Sequence, residues 1–192
     1  GLAAASTATE THIRPYYPGT SHSKGFRLAI NVTDHSNVLY SLIQNKYIGS
    51  IHVGAGLALV GWAPDTEYAR IFYQNGTAEE HRSGMDKKSP AVSTAHLDAG
   101  PGTPGIYIAP VPEPYAFLFP DTWTACNESI SYYPGKHFVI FKRVETNHNI
   151  PDGCVPVRLI PECIPLNDLP PESLSSHEYA IDDRCYKDVT AL

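Results

Sequence analysis

Proline and glycine punctuate this chain throughout, with seventeen prolines and fourteen glycines in 192 residues. Each proline removes a backbone donor and clashes with the preceding helical turn, so long helices have little room. The aromatic set of twelve Tyr, six Phe and two Trp suits pleated, half-buried strands instead. With 42% hydrophobic residues, the chain is long enough for one domain burying about two-thirds of the surface that its unfolded form exposes. The expectation is a single all-β domain.

Residues 1–24 are small, Ser/Thr-rich and turn-prone, and read as a flexible N-terminal arm. The β domain is expected over 25–165, opening on FRLAINVT, where Phe26, Leu28 and Ile30 alternate with Arg27 and Asn31. From Ile51 to Val60 the odd positions are apolar and the even ones mostly small. This period of two predicts a hairpin or bent strand pair turning at Gly54-Ala55-Gly56. A short strand is expected at Ile71 to Tyr73, ahead of an Asn75-Gly76 turn. Residues 78–105 read as a long polar surface loop. The segments IYIAPV, YAFLF, KHFVIFKRV and CVPVRLI supply further short strands. Recurring short strands between turns predict a sandwich or barrel. One lobe-like order early in the chain leaves a β-trefoil as the alternative, without a visible repeat. Residues 166–192 are acidic and proline-rich, and are expected to pack on the domain as a disulfide-tethered tail.

The net charge is −6, and no basic cluster exceeds Lys87-Lys88 or Lys142-Arg143. A nucleic-acid partner needs a basic face, so none is expected. No apolar run approaches the roughly 20 residues of a membrane span. Four cysteines, Cys126, Cys154, Cys163 and Cys185, fall in the C-terminal third without a Cys-x-x-Cys pair, which reads as disulfides in a secreted protein. Of the three connectivities, Cys126 with Cys154 and Cys163 with Cys185 is favoured, because the second bridge would pin the tail. Three sequons, at Asn31, Asn75 and Asn127, add the expectation of a secreted, extracellular glycoprotein. The chain opens on Gly1 rather than Met, which reads as a mature form freed of its signal peptide.

Chemical motifs are few. Gly54-Ala55-Gly56 resembles part of a dinucleotide loop, but Leu59 stands where the third glycine would be and strand alternation replaces the helix. A turn or bulge is the expected reading, and no cofactor follows. His52, beside that turn, is the candidate catalytic base. The nine histidines form neither His-x-His nor His-Glu-x-x-His, so no metal is indicated. There is no Gly-x-Ser-x-Gly elbow. Acidic pairs stand at Asp65/Glu67 and Asp121/Glu128, and a glycosidase needs two carboxylates about 5 to 9.5 Å apart. The remaining signal is aromatic: Trp62, Tyr68, Tyr73 and Trp123 are expected at strand ends or turns, where flat faces stack on sugars or anchor partners.

Through FRLAINV and the stretch from His52 to Thr77, HVGAGLALV and ARIFYQNGT, the chain resembles a family of small secreted glycoproteins from filamentous fungi. That family is marked by His-x-Gly-Ala-Gly followed by Phe-Tyr-x-Asn-Gly-Thr. The resemblance covers about the first 80 residues. It implies fungal secretion and glycosylation, and supplies neither a settled activity nor catalytic residues. Together these features predict an extracellular or cell-wall binding protein with carbohydrate as the favoured ligand. The alternatives are a small secreted hydrolase using His52 with a carboxylate, and a host-interaction effector or inhibitor presenting the 78–105 loop to a protein partner.

Overall fold

In a computed structural model of the chain, residues 17–76, 91–97, 102–146, 148–173, 175–190 and 192 are described. The fold is all-β and sandwich-like. Its main sheet has seven strands: β2 (Gly25–Val32), β3 (Tyr47–Gly54), β4 (Leu57–Ala63), β5 (Val92–Thr94), β8 (Trp123–Ser129), β9 (His137–Val144) and β10 (Cys154–Ile164), in the order β4-β3-β2-β10-β8-β9-β5. Every neighbouring pair is antiparallel. The trefoil alternative finds no counterpart in this order.

At the centre, β2 and β10 form an unbroken ladder from Gly25 opposite Ile164 to Val32 opposite Val157. Phe26, Leu28, Ala29, Ile30 and Val32 are all buried, so β2 is covered on both faces and its near-continuous apolar run follows. Phe141, Val155, Leu159 and Ile43 complete the core around them. Burying each large apolar side chain contributes about 1.5–3 kcal/mol.

Proline is rare in a central strand, yet β10 carries Pro156 and Pro161. At Pro161 the side of β10 away from β2 is met by the tail. Tyr186 donates its N–H to Pro161 O at 2.9 Å, and Cys163 donates to Tyr186 O at 2.8 Å. A residue's N–H and C=O point to the same side of a strand, so the missing proline N–H falls on the tail side, where this bridge requires none. The β2 ladder stays whole.

The region expected as a long polar loop contains β5, a correction to the sequence reading. Residues 91–97 join the sheet, while 78–90 and 98–101 of that loop lie outside the described residues. Past β5, Ala95 donates to Phe141 O at 2.9 Å, Val60 donates to Ala95 O at 3.0 Å, and Leu97 donates to Ala58 O at 2.9 Å. The sheet therefore curls until this segment links β9 to β4, although the named strands do not close into a barrel. Aliphatic and hydroxyl side chains in Ala91-Val-Ser-Thr-Ala95 fit a strand, but the surrounding Gly and Pro concealed it.

A second departure is the short helix α1 (Val38–Ile43). Asn37 caps it by accepting from Leu39 N at 2.9 Å, and Leu39 and Ile43 are buried four residues apart. Two further pairs flank the sheet: β6 (Tyr107–Ile108) with β7 (Leu118–Phe119), and β1 (Ser21–Ser23) with β11 (Asp183–Cys185). Residues 21–23, expected within the flexible arm, are thus a strand; residues 1–16 of that arm lie outside the described residues.

Disulfides join Cys126 to Cys154 and Cys163 to Cys185. The first links directly opposed residues of β8 and β10, with Cα atoms 4.1 Å apart. The second ties β11, and with it the C-terminal tail, to β10. Tyr186 follows it into the core, where its hydroxyl oxygen accepts from Ala116 N at 2.8 Å.

Candidate functional site

The β3–β4 hairpin turns as its alternation predicts, with Gly56 at φ +70° and a bulge between His52 and Gly54. Its functional interest lies at the opposite, open end. There Ile48 stands opposite Trp62, and Gly49 opposite Gly61. A Cβ on Gly49 would sit 3.1 Å from both the Ala63 side chain and the Trp62 backbone. Bare backbone at that point helps to line a shallow cleft of about 310 Å³, together with Ser50, Trp62, Ala63, Pro64, Tyr68 and Arg70.

The segment after β4 builds the other wall. Pro64 follows the strand end, and Asp65 Oδ1 then accepts from Glu67 N at 3.0 Å and Tyr68 N at 3.4 Å. This side-chain turn orders the loop that carries Tyr68, which is 64% exposed. Arg70 then returns to β3: its N–H donates to Ile48 O at 2.9 Å. Its guanidinium donates from Nε and Nη2 to Ser50 Oγ at 3.1 and 2.5 Å. Beyond it, Phe72 pairs with Phe26 through reciprocal backbone bonds. The result is an open cleft with two aromatic residues and one cation.

Of the four aromatics expected to meet a ligand, the fold gathers Trp62 and Tyr68 in this cleft. Trp123 is a correction. It is 6% exposed, and its indole N–H donates to Leu118 O at 3.1 Å; the first half of β8 is buried on both faces, so its ring is core surface. Tyr73 is half-buried and meets His177 of the tail edge-on, with centroids 4.5 Å apart.

His52 is exposed on β3, away from the cleft. Its ring meets Tyr132 edge-to-face at 5.6 Å, with no hydrogen-bond partner among the described residues. A general base is oriented by such a partner. Three of the four paired acids make structural contacts: Asp65 makes the turn, Asp121 grips Arg158 through two oxygens, and Glu128 pairs with Lys142 at 2.6 Å, while Glu67 is exposed and meets Asp65 through its backbone N–H. Asn75 and Asn127 are exposed, whereas Asn31 is half-buried opposite Arg158. Among the described residues, Cys126, Glu128 and Cys154 lie close enough to share an ion, but both sulfurs are committed to a disulfide.

A smaller hollow of about 160 Å³ adjoins the β1–β11 pair, lined in part by His22, Gln74, Asp183 and Arg184. Asp183 is buried and accepts from Gln74 Nε2, while Gln74 Oε1 accepts from Ile108 N at 2.9 Å. Burial pushes the Asp183 carboxyl up to about 7, opposed by the Gln74 hydrogen bond and assisted by the Asp182 charge. Sequence reading missed this node and also Ser50 and Arg70, because their roles depend on partners 20 to 109 positions away.

The chain is 47% identical over 208 aligned residues to the antigenic protein SchS34 of Stachybotrys chartarum, covering 94% of this chain and 93% of that one. No solved structure matches it significantly. The family profile that matches spans residues 23–163, from the last residue of β1 to Cys163, one residue short of the end of the central ladder. The chain belongs to the family described as domain of unknown function DUF7907.

Proposed function

We propose that this protein is a secreted binding protein that holds carbohydrate in the cleft of Trp62, Tyr68 and Arg70. The observation that carries the reading is the convergence of an exposed tyrosine and a half-buried tryptophan on one shallow, open cleft. Sugar rings present flat C–H faces and a rim of hydroxyls; aromatic faces take the first and polar groups such as Arg70 and Ser50 take the second. Secretion is supported by two disulfides, which persist in oxidising compartments, and by exposed sequon asparagines at 75 and 127. A relative named for its antigenicity also fits a protein that leaves the cell.

A glycan array, followed by calorimetry on the best ligand, tests the reading. Wild type should bind at least one polysaccharide fragment, and Trp62→Ala and Tyr68→Ala should each weaken it about 10-fold or more. Failure to bind any glycan would remove the carbohydrate assignment.

A further inference from the structure

We infer that the cleft selects sugars carrying a carboxylate, a hexuronic-acid unit, and that Arg70 is the residue that recognises the acid group. This rests on the carbohydrate reading above and adds the charge of the ligand to it.

The geometry of Arg70 carries the step. A guanidinium has five N–H donors in a rigid planar fork. Its Nε and Nη2 side is spent on Ser50 Oγ, which fixes the plane of the group against β3. The outer edge, formed by Nη1 and the second Nη2 hydrogen, remains. Arg70 has no ion-pair partner among the described residues, unlike Arg158, whose fork Asp121 occupies. An oriented guanidinium edge matches the two oxygens of a carboxylate in one bidentate contact.

The surroundings point the same way. Asp65, five residues before Arg70, directs its Oδ1 to the backbone of its own turn. Tyr68 and Trp62 line the same cleft as the guanidinium, so a sugar ring stacked on an aromatic face brings its C6 substituent within the range of neighbouring side chains. In a chain of net charge −6, an arginine without a carboxylate partner among the described residues, set in an aromatic cleft, is a local exception to the overall sign.

Calorimetry with a galacturonic-acid oligomer, its fully methyl-esterified form and the free monosaccharide acid tests this, at a pH where the acid is ionised. The esterified oligomer keeps the rings and loses the charge. Wild type should bind the acid form about 10-fold more tightly than the ester. Arg70→Gln, with its fold verified by circular dichroism, should bind acid and ester alike, at or below the wild-type affinity for the ester. Arg70→Lys should recover only part of the preference, because a point charge replaces the fork. Monosaccharide affinity close to that of the oligomer would assign a free sugar acid as the ligand, and a large gap would assign the polymer. Equal binding of acid and ester by wild type, or a preference surviving Arg70→Gln, overturns the charge selection and leaves the carbohydrate reading standing. No binding here or on a neutral glycan array overturns both.

Discussion

Gln74 donates its side-chain amide to the buried carboxyl of Asp183, joining the segment that leaves the cleft wall to the last strand of the fold. Asp183 Oδ2 has no partner among the described residues, so the buried carboxyl carries its charge without a second hydrogen bond. His22 and Arg184 line the same hollow, and Asp182 is adjacent in sequence.

Stability should therefore fall as pH rises through neutrality. The folded value of Asp183, about 7, lies above the ordinary 3.8. The folded state holds the carboxyl proton more tightly, so the contribution is complete below about 4 and is lost as pH climbs through 7. A shift of this size corresponds to a few kcal/mol at most. Urea unfolding from pH 4 to 8 should show the decline, and Asp183→Asn should flatten it. A wild-type profile that rises over this window would contradict the assignment.

Gly25 begins the central ladder opposite Ile164, where an added Cβ would lie 2.7 Å from Ile164 O and 3.0 Å from Leu166 N. Both obstacles are backbone, which yields less readily than a flexible side-chain end. Gly25→Ala should destabilise the fold by about 1–3 kcal/mol, measured as a lower denaturant midpoint with an unchanged slope. Gly19, whose added Cβ meets nothing within 4 Å, is the control: Gly19→Ala should be near neutral.

The two tryptophans should separate by assay. Trp123→Ala empties a core position and removes a satisfied indole donor, which should cost about 3–5 kcal/mol. Trp62→Ala removes a half-buried ring at the cleft and should cost about 1 kcal/mol or less of stability while weakening glycan binding about 10-fold or more. Thermal melts beside binding titrations would show the contrast, and similar melting losses for both variants would refute it.

Features that depend on neighbouring residues were legible in advance. The β3–β4 hairpin followed from alternation and glycine placement, β2 from alternation, and β9 from an apolar run bounded by turn residues. Strand β8 was harder, because Thr124, Cys126, Asn127 and Glu128 dilute its apolar signal, and its pairing with β9 and β10 supplies what its composition lacks. The helix α1 rests on an Asn37 cap and two buried residues, a signal too short to stand out in sequence. At the cleft, Trp62 and Tyr68 could be nominated as aromatics near turns, but so could Trp123, since exposure is a property of the folded surface.

By itself, the sequence determined the strand-rich class and the even cysteine set, and it excluded long helices: proline geometry, side-chain periodicity and thiol chemistry act on residues close in the chain. Tertiary structure alone decided that 91–97 closes the gap between β9 and β4, that Tyr186 completes the edge of β10, and that Arg70 meets Ser50. Those outcomes depend on which backbone donors and acceptors remain unpaired once the sheet has curled, and no local pattern encodes that remainder.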